Sequence, residues 1–173
     1  AMQEAVPVGT GAMAAILGLP ADKVIAGCAE AQATFGAGSA EVVEAVNFND
    51  PGQTVIAGSK AAVEKACEVL KANGAKRALP LPVSAPFHSS LMKPAADRLK
   101  EKLAATSFAA AQIPVVNNID VTVETDADRM RYALYRQAFG PGRWVEWVGG
   151  IKARGVTTLV ECGPGKGLDR KST

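Results

Sequence analysis

His88 is the only histidine among the 173 residues, so any histidine-based catalysis by this chain must use it. It follows an extended segment and precedes a predicted helix, and α/β folds place reactive groups at such junctions. A histidine base needs a nucleophile to act on and a third group to orient its ring. A surface or helix-capping histidine is the alternative interpretation, and the local spacing leaves both open.

The sequence offers no nucleophile to pair with this candidate base. The Gly-x-Ser-x-Gly pattern of hydrolase nucleophile elbows does not occur in it. Cys28 and Cys67 fall on apolar helical faces, which predicts core positions, and Cys162 ends a predicted buried strand. The three cysteines are few and widely spaced, which predicts reduced thiols and a cytoplasmic location.

Two further features could carry chemistry, but both have simpler interpretations. The segment 163–167 reads Gly-Pro-Gly-Lys-Gly, and it lacks the Ser or Thr that a Walker loop needs after its lysine. A tight turn after a strand is the favoured interpretation. Lys76 and Arg77 form a basic pair at a strand start, where such pairs usually lie on a solvated edge. One histidine and no clustered cysteines or carboxylates predict no metal site and no cofactor.

The composition limits the class of protein. Hydrophobic residues make up 48% and charged residues 21%, with a net charge of +2, which is typical of a soluble globular chain. This charge predicts neither a nucleic-acid partner nor attraction to a membrane surface. There is no run of about 18 apolar residues, so no spanning helix is predicted. The first ten residues do not resemble a signal peptide.

The elements that must position His88 begin with an alternation of strands and helices. Apolar runs at 11–19, 42–48 and 54–57 predict strands, and the Asn-Asp-Pro-Gly sequence between the last two predicts a hairpin turn. Pro20 opens one predicted helix, and Ser59 is a good N-cap for another. With an extended segment at 78–83, the order over about 10–83 is that of a split βαβ, ferredoxin-like unit.

The second half predicts a different architecture. Ser89 or Ser90 could cap a helix, and further helices are predicted over 126–139 and around 145–151. Short apolar runs at 113–116 and 156–160 predict strands, the second of them buried and parallel. Because strands alternate with helices here, the sequence predicts a parallel sheet wrapped by helices.

Several segments together resemble one known family. They include residues 3–6 and 11–15, the Val-Asn-Phe-Asn-Asp-Pro-Gly-Gln run at 46–53, the Ala-Lys-Arg-Ala-Leu-Pro-Leu-Pro-Val-Ser run at 75–84, the Pro-Phe-His-Ser run at 86–89, Asn117-Asn118, Gln137, Arg143-Trp144 and residues 161–166. These motifs resemble the malonyl-CoA:acyl carrier protein transacylases of bacterial type II fatty-acid synthesis, and the resemblance covers nearly the whole chain.

The resemblance implies a fold and a reaction. The expected fold is α/β, with a ferredoxin-like subdomain over 10–83 and part of an α/β-hydrolase-like core over 1–9 and 84–173. The expected enzyme moves malonyl from coenzyme A to the phosphopantetheine thiol of acyl carrier protein through a Ser-His dyad. His88 matches the histidine of that dyad, and Gln137 matches the glutamine whose main-chain carbonyl orients it. Phe87 resembles a malonyl-selecting residue, because a bulky ring there would crowd out methylmalonyl.

The chain also departs from the family pattern, since the nucleophile elbow and the arginine that pairs with the malonyl carboxylate would lie upstream of its first residue. We therefore expect a C-terminal part of the enzyme that is inactive alone. A missing N-terminal segment or a complementary chain would supply the rest. The alternative is a non-catalytic module that binds acyl carrier protein, in which Lys76 and Arg77 meet the acidic surface of the carrier.

Overall fold

The computed structural model describes residues 6–7, 9–83 and 85–162. Its first part, the small-sheet region (residues 11–80), contains four strands and two helices. They are β1 (Gly11–Leu17), α1 (Ala21–Ala33), β2 (Val43–Asp50), β3 (Gln53–Ser59), α2 (Lys60–Ala72) and β4 (Arg77–Pro80). The strand and helix order expected over 10–83 is confirmed. The sheet order is β2-β3-β1-β4, and each neighbouring pair is antiparallel.

Strand β1 lies inside this sheet and is apolar on both faces. Ala14 and Ile16 are completely buried in the main core, together with residues of α1 and α2. Met13 and Ala15 point to the opposite face, where they form a second cluster with Val46, Val55 and Ala57. The sheet therefore has an apolar cluster on each face, and Leu81 and Phe87, which follow β4, pack against the second cluster.

The two helices cross closely on the first face. Helix α2 buries Val63, Ala66 and Leu70, as the sequence predicts. Gly27 in α1 permits the approach, because a Cβ at this position would lie 2.4 Å from Leu70 Cδ2. Ser59 stands at the N-cap position of α2, but the predicted capping bond is wrong. Its hydroxyl is hydrogen-bonded instead to the Glu41 carboxylate and accepts from the Val42 amide.

The second part, the helical region (residues 85–162), is built from short elements. A 3-10 helix (Ser90–Met92) runs directly into α3 (Lys93–Ala104). Two-residue strands, β5 (Val115–Val116) and β6 (Val123–Glu124), precede α4 (Ala127–Gln137) and α5 (Trp144–Ala153). The three predicted helices are confirmed. Neither Ser89 nor Ser90 caps α3 through its side chain, because the hydroxyl of Ser89 bonds to Pro86 O.

The parallel sheet predicted for the second half is wrong for the residues that the structure describes. The run at 113–116 contributes only β5, which pairs antiparallel with β6, and Ile113 is 77% exposed. Residues 156–160 form no strand, and Val160 is 78% exposed. A buried parallel strand needs parallel hydrogen-bonded neighbours and covered faces. Among the described residues, β5 has one antiparallel neighbour, residues 156–160 pair with no strand, and both runs are largely exposed.

The two regions touch along the edge strand β2. Gly142 N donates to Val46 O at 2.7 Å, and Phe48 N donates to Gly142 O at 2.9 Å. These bonds form an isolated parallel bridge between Asn47 and Gly142. Within the described residues, no helix is both long enough and apolar enough to cross a lipid bilayer.

Candidate functional site: a histidine held by a main-chain carbonyl

The His88 imidazole lies beside the C-terminal end of α4. Its Nδ1 is 3.1 Å from the main-chain oxygen of Gln137, which is a hydrogen-bonding distance. A carbonyl oxygen only accepts, so in this bond Nδ1 carries the proton. In the neutral ring Nε2 is then unprotonated and free to act as a base. The structure thus brings together the two residues expected to form the basic half of a dyad.

The backbone at His88 is left-handed, with a φ of +64°. Non-glycine residues rarely adopt this conformation, and it persists only where the surroundings hold it. The preceding turn is closed by a bond from Phe87 N to Ala85 O at 3.0 Å. Ser89 is fully buried, and both its amide and its hydroxyl donate to Pro86 O. The sharp turn aims the ring of His88 at α4 rather than along α3.

The Gln137 carbonyl is exposed to His88 because helix α4 ends at this residue. The last carbonyls of a helix have no partner inside it, so they can accept from elsewhere. The side chain of Gln137 helps to fold back the next residues, since Nε2 donates to Gly140 O at 3.4 Å and to Pro141 O at 3.3 Å. Gly142 then docks on β2, which ties the end of α4 to the small-sheet region.

An ion pair and an asparagine brace the same end of α4. Arg136 forms a forked pair with Asp120, and the hydrogen bonds from its guanidinium lower the pKa of the Asp120 carboxyl. Asn118 Oδ1 accepts from Arg143 N at 2.8 Å, which fixes the residue after Gly142. These bracing roles were not predicted from the sequence. The Asn117-Asn118 pair was the available signal, because asparagine often accepts bonds from nearby amides at turns.

His88 lines an open cleft of about 920 Å³, which we call the His88 cleft. One wall comes from α1 and the segment after it, a second from β2, and a third from the residues after α4. The residues that line these walls include Cys28, Gln32, Glu44, Phe48, Phe139 and Pro141. This volume falls at the upper end of the range typical of ligand pockets, so the cleft is large enough to admit an elongated ligand beside the imidazole.

Phe87, expected to select the acyl group, is half-buried and is not among the residues that line the His88 cleft. Its ring packs between two apolar clusters, the Met13 face of the sheet and a group formed by Val6, Met92 and Ala95. In the described residues, it therefore joins the small-sheet region to the start of α3.

Lys76 and Arg77, expected to contact acyl carrier protein, are exposed at the start of β4. Strand β4 is the edge of the sheet opposite β2, and Arg77 pairs with Leu17 at the end of β1. Neither residue of this basic pair lines the cleft that contains His88, and the two edges of the sheet are three strand spacings apart, or roughly 14 Å.

Burial disfavours a nucleophilic role for two of the three cysteines. Cys28 is buried, as predicted, and burial raises the pKa of its thiol to about 12. Cys67 is half-buried, and burial raises its pKa as well. Cys162 is exposed, which corrects its predicted place at the end of a buried strand. Among the described residues, no group of three or more His, Cys, Asp or Glu side chains could hold a metal ion. The glycine-rich segment 163–167 lies outside the described residues.

Comparison with solved structures identifies the class of protein that shares this fold. The chain superposes on an acyl-carrier-protein S-malonyltransferase from Burkholderia pseudomallei with a TM-score of 0.92 and 62% identity, covering 99% of this chain and 54% of the other. It matches equally well, at a TM-score of 0.92 and 50% identity, a malonyl-transacylase solved in complex with a type II PKS acyl-carrier protein, of which it covers 53%. Both of these solved structures share the α/β fold of this chain over about half of their own length.

Sequence comparison names the relatives more closely. The chain is 55% identical over 167 residues to the malonyl CoA-acyl carrier protein transacylase of Escherichia coli K12, and the match covers 96% of this chain. No family model matches the chain. The chain is therefore homologous to the malonyl CoA-acyl carrier protein transacylases over nearly its whole length. It spans about half the length of the curated relatives it matches, 52% in the case of the E. coli enzyme.

Proposed function

We propose that this chain carries the histidine of a Ser-His dyad that moves malonyl from coenzyme A to the phosphopantetheine thiol of acyl carrier protein. The observation that supports this most directly is the bond between His88 Nδ1 and the Gln137 carbonyl, 3.1 Å long, beside an open cleft. The homology to malonyl transacylases supports the substrate assignment.

In this proposal His88 moves one proton in each half of the reaction. Nε2 takes the hydroxyl proton of the serine as Oγ bonds to the thioester carbon, and it returns that proton to the sulfur of coenzyme A as the C–S bond breaks. The thiol of acyl carrier protein then gives its proton to Nε2 as its sulfur bonds to the ester carbon, and Nε2 returns that proton to the serine Oγ as the C–O bond breaks. The Gln137 carbonyl keeps Nδ1 protonated throughout, which stabilises the imidazolium formed in each step.

We do not assign the serine nucleophile to this chain, because its sequence has no nucleophile elbow. We infer that a missing N-terminal segment or a complementary chain supplies the serine and the arginine for the malonyl carboxylate. Residues 10–83 would be a ferredoxin-like subdomain, which the antiparallel order β2-β3-β1-β4 supports. Residues 1–9 and 84–173 would belong to an α/β-hydrolase-like core.

The test of the base assignment is His88→Ala in the chain joined to its complementary segment. Transfer of malonyl to acyl carrier protein should fall about 10²–10⁴-fold, which is the usual contribution of a general base. Lys65→Ala, an exposed change on α2, is the matched control and should leave transfer unchanged. Unchanged transfer in His88→Ala would contradict the assignment.

The alternative function is a module that binds acyl carrier protein without turnover, which the absent elbow favours. Intact mass after incubation with malonyl-CoA separates the two proposals. A covalent malonyl adduct on the joined protein supports the enzyme, while its absence together with retained carrier binding supports the module.

Phe87 is proposed to discriminate against methylmalonyl. Because Phe87 directly precedes His88 and resembles the malonyl-selecting residue of the family, Phe87→Ser should raise the rate with methylmalonyl-CoA relative to malonyl-CoA. Phe35→Ser, which removes a half-buried ring of the same size from the main core, controls for simple loss of packing. An unmoved ratio of the two rates in Phe87→Ser counts against the selecting role.

Lys76 and Arg77 are proposed to meet the acidic surface of the carrier protein. The double change to alanine should weaken carrier binding by a few-fold at low salt, because exposed charges mainly steer association. A double change of Lys65 and Lys71 on α2 removes the same charge elsewhere and is the control. Equal affinities for both double variants would place the carrier on another surface.

A further inference from the structure

The backbone amide of Ser90, two residues after His88, is held by a side chain from the other region. Ser90 N donates to Glu44 Oε2 at 2.7 Å, and the two residues are 46 apart in sequence. Glu44 belongs to the edge strand β2 and also lines the His88 cleft. This carboxylate therefore links the wall of the cleft directly to the turn that carries the imidazole.

The amide needs such a partner because of its place in the fold. Ser90 begins the 3-10 helix that continues into α3, and the first amides of a helical segment have no acceptor within it. Ser89 occupies the capping position, but its hydroxyl is committed to Pro86 O. The Glu44 carboxylate replaces the missing cap, and its negative charge suits the positive end of the helix.

The same bond bears on the conformation of His88. Hydrogen bonds hold the left-handed turn at His88 on both sides of that residue in the chain. On the N-terminal side, Ala85 O and Pro86 O accept. On the C-terminal side, the amides of Ser89 and Ser90 donate. Among the hydrogen bonds that the described residues after His88 make near this turn, the one from Ser90 reaches across to the small-sheet region. Without Glu44, the residues that follow His88 would lose their link to β2, while the Gln137 carbonyl would still be tied to β2 through Gly142.

We propose that Glu44 is a positioning residue for His88: it caps Ser90 and so keeps the imidazole in register with the Gln137 carbonyl. The two partners of the His88–Gln137 hydrogen bond are then anchored to the same strand. Glu44 holds the His88 turn to β2, and Gly142 holds the end of α4 to β2. The catalytic meaning of this role rests on the proposed function, whereas the role itself is a property of the 173-residue chain.

The test uses the single histidine, whose two ring nitrogens give unambiguous signals in the full chain labelled with ¹⁵N-histidine. In the parent chain, at a pH where the ring is neutral, Nδ1 should show the protonated type of resonance and Nε2 the unprotonated type. Glu44→Ala should shift the population toward the opposite tautomer, which a histidine free in water favours. Hydrogen exchange of the Ser90 amide should become about tenfold faster, because its charged acceptor is gone.

Two variants sharpen the result. Glu44→Gln keeps an acceptor oxygen and should restore the parent tautomer, so the hydrogen bond rather than the charge is tested. Glu41→Ala removes a carboxylate of the same cleft that binds Ser59 instead of Ser90, and it should leave the ring signals unchanged. In the joined enzyme, Glu44→Ala should lower kcat about tenfold with little change in KM, as expected for a misplaced base.

Failure of this inference is distinguishable from failure of the proposed function. If Nδ1 is protonated in the parent and stays so in Glu44→Ala, the positioning role of Glu44 is overturned while the base assignment stands. If Glu41→Ala disturbs the ring as much as Glu44→Ala does, the effect is general to the cleft and the inference is likewise overturned. If the parent itself lacks a protonated Nδ1, the base assignment fails first.

Discussion

The small-sheet region and the helical region differ in how completely they bury their own apolar residues. In the small-sheet region, the sheet is packed on both faces, and residues such as Ile16, Ile56 and Leu70 have no exposed surface. In the helical region, α5 contains no buried residue, and Ile113 and Val160 are more than three-quarters exposed. Sequences of similar apolar content thus reach very different degrees of packing within one chain.

The two regions also contribute differently to the candidate site. His88 and Gln137 both belong to the helical region, but the contacts that set their separation run to the edge strand of the small-sheet region, through Glu44 and Gly142. The well-packed region anchors the candidate site, and the less packed region carries His88 and Gln137. Substitutions in the two regions should therefore differ in their effects on stability.

The largest contrast is expected between two isoleucines. Ile56→Ala removes a completely buried side chain and should lower the free energy of unfolding by about 2–5 kcal/mol. Ile113→Ala removes the same atoms from a residue that is 77% exposed, and it should change stability by less than about 0.5 kcal/mol. Urea unfolding of both variants measures the difference, and equal losses would mean that the two regions are packed alike.

A smaller effect of opposite sign is expected in α5. A Cβ at Gly149 would meet no atom within 4 Å, so Gly149→Ala should stabilise the chain by about 0.5–1 kcal/mol through helix propensity alone. At the neighbouring Gly150, a Cβ would lie 3.0 Å from Val121 Cγ1 and 3.1 Å from Arg154 Nη1. Gly150→Ala should therefore gain less. A larger thermal stabilisation from Gly150→Ala would show that α5 is packed differently.

The smallest effect concerns the ion pair that braces α4. Because Arg136 lowers the pKa of Asp120 below its ordinary value of 3.8, the pair stabilises the fold above that pH. This contribution is lost as the pH falls through the lowered pKa. Asp120→Asn should cost about 0.5 kcal/mol at neutral pH, and the difference from the parent should vanish in acid. A difference that is independent of pH between 7 and about 2 would contradict this account.

The sequence was most informative where local pattern determines structure. The apolar run of β1, the stripe of α2 and the Asn-Asp-Pro-Gly turn predicted the elements of the small-sheet region correctly. The runs at 113–116 and 156–160 are also apolar, yet the first contributes only a two-residue antiparallel strand and the second forms none, because strand pairing depends on partners that a local pattern does not reveal. Apolar pattern alone therefore overestimated the extent of β-sheet in the helical region.

The site was predictable only in part. His88 stood out because it is the sole histidine, but its pairing with Gln137 was expected only from the family resemblance, since a main-chain carbonyl has no signature in the sequence. Glu44 could not be found this way. It looks like any charged residue on an exposed strand face, and its bond to Ser90 depends on the left-handed turn at His88, which histidine rarely adopts.

The most direct test of the central claim is the ¹⁵N spectrum of the His88 ring in the unmodified chain. A bond from Nδ1 to the Gln137 carbonyl predicts a protonated Nδ1 and a bare Nε2 when the ring is neutral. A spectrum with the proton on Nε2 would contradict the claim, because Nδ1 of the neutral ring would then have no proton to donate to the Gln137 carbonyl.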